Sequence, residues 1–113
     1  MDFEEFKKTS LYEIFAKPMK VQSAIYFLQK EKGGAPFPLL EKNLENDVSR
    51  GELEISINFW IELKEVDYDF AIISGSEEHI YSLTPKSYEG LENLIGLVEE
   101  ASERKKNEYK GTE

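Results

Sequence analysis

The sequence contains no cysteine and a single histidine, His79. Disulfides, thiolate metal sites and thiol nucleophiles are therefore excluded. A lone imidazole likewise leaves no His-His pair to hold zinc or bridge iron. No apolar run approaches the roughly 18 residues of a membrane span. The acidic opening Met1-Asp2-Phe3-Glu4-Glu5 is followed by no hydrophobic stretch of the kind a secretory signal requires. There is no phosphate-cradling glycine loop and no nucleophile elbow. The Glu-Glu pairs at 4–5, 77–78 and 99–100 read as solvated faces. These absences lead to the expectation of a cytoplasmic protein that is not an enzyme, with no catalytic residues, metal or cofactor and no membrane contact.

Basic charge is also scarce, and unevenly so. Fourteen basic residues face 23 acidic ones, a net of −9. Residues 1–50 balance, whereas residues 51–100 carry only Lys64 and Lys86 against 12 acids. A body of that sign repels nucleic acid and anionic lipid at long range. Otherwise the 113 residues, 40% hydrophobic and 33% charged, have an ordinary globular composition and fit one domain spanning 1–113.

Hydrophobic spacing then gives the order of elements. Phe3, Phe6, Leu11, Ile14 and Phe15 recur at helical intervals over 1–16. Asp2 with Glu5, and Ser10 with Glu13, read as two helix starts. Pro18 opens a helix over about 18–32 that buries Val21, Ala24, Ile25 and Leu28, and Gly33-Gly34 ends it. Ala35-Pro36-Phe37-Pro38 is extended, Pro38 starts a short helix to about Asn46, and Ser49-Arg50-Gly51-Glu52 is a capping box. From there the pattern is ambiguous. Leu53, Ile55, Ile57, Phe59, Ile61 and Leu63 alternate as in a strand. Yet Leu53, Ser56, Ile57, Trp60, Ile61 and Leu63 also share a helical arc about 160° wide, with Ile55 and Phe59 outside it. Periodicity alone leaves helix and strand even. Tyr68–Ser74 and His79–Leu83 read as a hairpin across the loop Gly75-Ser76-Glu77-Glu78. Thr84-Pro85 starts a helix over 85–107, with Tyr88, Leu91, Leu94, Ile95, Val98 and Ala101 in its stripe, and 108–113 is expected to fray.

At this point the chain resembles a known family. Glu13-Ile14-Phe15-Ala16-Lys17-Pro18 with Val21, Ile25 and Leu28 is similar to the opening helix of small prokaryotic and archaeal regulators of MarR, PadR and ArsR type. Phe37-Pro38-Leu39-Leu40-Glu41 is similar to their second helix, and Val48-Ser49-Arg50-Gly51 to the lead-in of their recognition helix. Ile61–Tyr68 resembles the step from that helix into the wing. His79-Ile80-Tyr81-Ser82-Leu83-Thr84-Pro85-Lys86 resembles the returning wing strand and the start of the last helix. The likeness covers about residues 10–100. Ser87 departs from it where glycine is frequent, and the recognition region is unusually acidic.

The resemblance implies an α+β, mainly helical fold. This would be a winged helix-turn-helix with an N-terminal helical extension over 1–16, a core over 18–84 and a long C-terminal helix. It also favours helix at 50–65. It implies a dimeric transcriptional regulator that binds double-stranded DNA through a recognition helix at about 50–65 and a wing at about 69–83. Ser49, Arg50, Glu54, Ile55 and Asn58 would then face the bases, with Lys42, Lys64 and Lys86 as phosphate candidates. Arg50 could grip a guanine edge, Asn58 an adenine edge, and Ile55 a thymine methyl. Given the acids, binding per protomer would be weak and salt-sensitive. A homodimer is expected through the aromatic N-terminal piece (Phe3, Phe6, Tyr12) and the last helix (Leu91, Leu94, Ile95, Val98). The alternative keeps the fold but gives it a basic protein partner: an acidic adaptor or DNA-mimic-like interaction module that binds no DNA.

Overall fold

The structure, a computed structural model, describes the backbone of residues 1–111 and the side chains of residues 1–105. Among the described residues, six helices and three strands follow in the order α1 (Phe3–Phe6), α2 (Ser10–Ile14), α3 (Lys17–Lys32), β1 (Ala35–Pro36), α4 (Phe37–Asn43), α5 (Arg50–Glu62), β2 (Val66–Ile73), β3 (Ser76–Leu83) and α6 (Pro85–Gly111). The fold is α+β and mainly helical, with one small antiparallel sheet in the order β1-β3-β2.

Helix α3 is the axis around which the rest packs. Its eight residues Val21 through Leu28 are all buried. A helix apolar on every side must be covered on every side. Helices α1 and α2 cover one flank through a cluster of rings in which Phe6 lies 5.4 Å from Phe27 and 5.8 Å from Tyr12. Helix α5 covers another with Leu53, Ser56, Ile57 and Trp60. The Trp60 indole donates to the Pro18 carbonyl at 2.7 Å, which satisfies its one polar atom. Gln29 at the far end of α3 ties the sheet down. Its side-chain oxygen accepts from the Leu83 amide at 2.7 Å, and its amide donates to the Leu83 carbonyl.

The stretch with two readings is helix. Ser49 caps α5 by accepting from the Glu52 amide, and Glu52 returns the bond to the Ser49 amide. Leu53 is 1% exposed and Ile55 71%, a separation that helical geometry imposes and a strand cannot give. Lys64, at φ 60°, turns the chain out of α5 into β2.

Several boundaries differ from expectation for local reasons. Thr9, not Ser10, caps α2 by accepting from the Tyr12 amide. Helix α4 stops at Asn43, and the Val48 amide bonds back to Leu44. The hairpin turn is the two residues Ser74-Gly75, both at positive φ (52° and 81°), so Glu77 and Glu78 belong to β3 rather than to a loop. Two central residues with positive φ match the right-handed twist of the strands, and this gives the shorter loop. Helix α6 continues to Gly111, past the expected end near Asn107; of the segment expected to fray, Thr112 and Glu113 lie outside the described residues.

The residues expected at a dimer contact mostly lie in the protomer's own core. Phe3, Phe6, Tyr12, Leu91 and Ile95 are all buried. The N-terminal rings surround Phe27, and Leu91 and Ile95 are the inward stripe of α6, so their burial needs no second copy. Leu94 and Val98 are half-buried, and Leu97 is exposed beside them. Among the described residues, no helix is long and apolar enough to cross a membrane.

Candidate functional site

Every residue expected at a DNA interface is exposed: Ser49, Arg50, Glu54, Ile55 and Asn58 on and before α5, and Lys42, Lys64 and Lys86 elsewhere. Their arrangement follows from the inward set of α5. With Leu53, Ser56, Ile57 and Trp60 against α3, the opposite ridge carries Gly51, Ile55, Asn58 and Glu62, flanked by Glu54 and Phe59. Two large apolar side chains, Ile55 and Phe59 (43% exposed), thus stand on the outer surface.

Between the N-terminal half of α5 and strand β3 runs a cleft of about 400 Å³ lined by Phe37, Arg50, Glu54, Asn58, His79 and Tyr81. Arg50, Glu54 and Asn58 meet there. Arg50 lies between two carboxylates, its Nε 3.5 Å from Glu54 and 3.6 Å from Glu41, with its guanidinium 5.7 Å over the Phe37 ring. Burial, then the neighbouring charges of Glu54 and Tyr68, push the Tyr81 phenol above its ordinary range, so it stays neutral and can donate. Glu41, Phe37 and Tyr81 are the neighbours sequence spacing missed, because they come from α4 and β3 and no local pattern links them to α5.

At the other side of the capping box, Lys17 pairs with Glu52. That contact first, and the Ser49 bonds after it, hold the Glu52 carboxyl at about 2, well below the usual carboxylate range. Lys17 is therefore an ion-pair partner of α5's first turn, and Lys20 lies over the Tyr12 ring at 5.0 Å. Among the described residues, no carboxylate lies within 4.0 Å of Lys42, Lys64 or Lys86. The structure does not gather these three with Arg50. Lys64 follows the C-terminal end of α5, and Lys86 borders a hollow beside Trp60 and Glu65. Among the described residues, no group of three or more His, Asp or Glu side chains is placed to hold a metal ion.

In comparison with known proteins, the chain matches no family model and no curated protein.

Proposed function

We propose that this chain is a winged helix-turn-helix protein that binds double-stranded DNA as a dimer and regulates transcription. The observation that supports the reading is connectivity. A core helix (α3), a short strand, two helices joined by a tight turn (α4 and α5), an antiparallel hairpin and a closing helix follow in that order, with the short strand on the hairpin's inner strand. In this arrangement α5 is the helix offered to the major groove and β2–β3 is the wing beside it.

The energetics are compatible with weak binding. Arg50 must leave Glu41 and Glu54, but exposed ion pairs are worth about 0–1 kcal/mol. A bidentate contact from Arg50 to guanine, or from Asn58 to adenine, contributes roughly 1–3 kcal/mol of discrimination. Release of Arg50 is thus affordable, while Glu54 and Glu62 on the same helix keep long-range attraction low. The test is retardation of random genomic duplexes at low salt. A shift is expected at tens of micromolar protein (roughly the range of non-specific binding) and should vanish as salt rises. No retardation under those conditions refutes the reading.

A second reading, an acidic module for a basic protein partner, is favoured by one observation: Ile55 and Phe59 stand exposed between Glu54 and Glu62. Reversal of Glu54 and Glu78 to lysine separates the two. DNA affinity rises under the first reading, whereas capture of a basic partner is lost under the second.

A further inference from the structure

The cleft between α5 and β3 has walls of two chemical kinds. One is aromatic. The hairpin register places His79 opposite Phe70 and Tyr81 opposite Tyr68, so these four rings share one face of the ribbon. Their centroids follow at 6.0 Å (Tyr68 to Phe70), 4.6 Å (Phe70 to His79) and 6.3 Å (His79 to Tyr81), the last two planes lying 24° apart. Phe37, at the start of α4, adds another ring to the lining. The other wall is acidic. Glu54 and the half-buried Glu78 both line the cleft. Among the described residues, no cation lies within 4.0 Å of Glu78.

Arg50 shows what such walls select. Its guanidinium lies 5.7 Å over the Phe37 ring, and its Nε is 3.5 Å from Glu54 and 3.6 Å from Glu41. A planar cation is thus held between carboxylates over a π face. The side chain is 71% exposed, and exposed pairs of this kind are weak, so the seat is exchangeable. A planar cation that brings its own apolar body does better there. Its head meets a carboxylate through paired N–H bonds, and its body lies against His79 and Tyr81. Anions are disfavoured, because residues 51–100 carry 12 acids against two bases and Arg50 already faces two carboxylates.

We propose that this cleft binds a small guanidinium or amidinium compound with a flat apolar body, whose head takes the seat of the Arg50 guanidinium between Glu41 and Glu54. The volume of about 400 Å³ is that of a small-molecule site rather than a groove for a helix or strand. The binding does not depend on whether α5 reads DNA, and its test contains no DNA.

Phenylguanidinium is the probe, titrated at low salt into the full chain and followed by amide and aromatic NMR shifts. Binding of roughly millimolar strength is expected, which is what about ten non-hydrogen atoms supply at an open site. The shifts should centre on Phe37, Arg50, Glu54, Asn58, His79 and Tyr81. Phenylurea, neutral and of the same shape, and benzoate should each bind at least about tenfold more weakly. Shifts spread over the acids of α6, or equal binding of phenylurea, overturn the proposal. Variants at two exposed positions test the seat itself, with circular dichroism unchanged in both. Glu54→Gln should weaken binding about threefold or more, and Arg50→Ala, which vacates the seat, should tighten it by a similar factor. Lys105→Ala removes an equal charge from α6 and should leave binding as it is. A Glu54→Gln variant that binds equally, or an Arg50→Ala variant that binds no more tightly than Lys105→Ala, overturns the proposal. A capped Gly-Arg-Gly peptide carries the same head without the flat body. If it binds as tightly as phenylguanidinium, the small-molecule assignment falls and an arginine of a protein partner is the ligand.

Discussion

Leucine 53 and isoleucine 55 are two residues apart and chemically alike, yet helix α5 sends one inward and the other to solvent. Leu53 lies 1% exposed in the cluster with Val21, Ile25 and Ile57, whereas Ile55 is 71% exposed. Truncation of Leu53 to alanine removes buried methyl groups and leaves a cavity beside α3. The expected cost is about 2–5 kcal/mol. Truncation of Ile55 removes surface already in water and should change stability by no more than about 0.5 kcal/mol. In urea, with a slope of roughly 1–3 kcal/mol per molar for a small domain, Leu53→Ala should lower the unfolding midpoint by at least about 0.7 M. Ile55→Ala should leave it in place. Equilibrium unfolding followed by far-ultraviolet circular dichroism reads both. If 53, 55 and 57 shared one buried strand face, the two truncations would cost alike. Equal midpoints for the two variants would therefore refute the helical placement of α5 and everything that uses its outer ridge.

Other perturbations test the supports of that helix. Tyr12 donates from its hydroxyl to Asp47 at 2.8 Å, tying α2 to the turn before α5. Tyr12→Phe should cost about 1.5–3 kcal/mol, as expected for loss of a bond to a charged acceptor, measured by urea unfolding. Burial first, and the Asp47 bond after it, also raise the Tyr12 phenol far above its ordinary range, so alkaline titration should not ionise it with the exposed tyrosines. Lys64 holds a left-handed backbone conformation at the end of α5, so Lys64→Gly should raise stability by about 0.5–1 kcal/mol. The Glu52 carboxyl has its folded value lowered to about 2 from 4.5, so its contribution is full above about 4.5 and is lost as pH falls toward 2. The melting-temperature advantage of the unaltered chain over Glu52→Gln should accordingly narrow across that window; a constant difference would show that the Lys17 contact is not its source.

Much of the fold is legible in the residues because local signals agree with the packing. Asp2 and the Ser49–Glu52 box cap where they should, Gly33 ends α3 at φ 85°, and Pro85 opens α6. The places where spacing fails have physical reasons. Periodicity at 53–63 is undecided because it assumes a polar outer face, and α5 instead carries Ile55 and Phe59 there. The feature that defeats the pattern is the same one that makes the face a candidate for contact. The aromatic residues of 1–16 exceed what a short helix needs because they cover α3, which is buried on all sides over Val21–Leu28. The cleft around Arg50 is invisible in the sequence because Glu41, Phe37 and Tyr81 reach it only through tertiary packing.

The reading as a whole turns on whether the outer ridge of α5 touches DNA. Arg50 and Asn58 are both exposed, so Arg50→Ala with Asn58→Ala leaves the core untouched. Fluorescence anisotropy of a labelled duplex at low salt should show binding by the unaltered chain. Loss of the two contacts, at roughly 1–3 kcal/mol each, should weaken it at least about tenfold. Equal affinity of the two proteins, or no binding by either, would contradict the assignment of α5 as the DNA-reading helix.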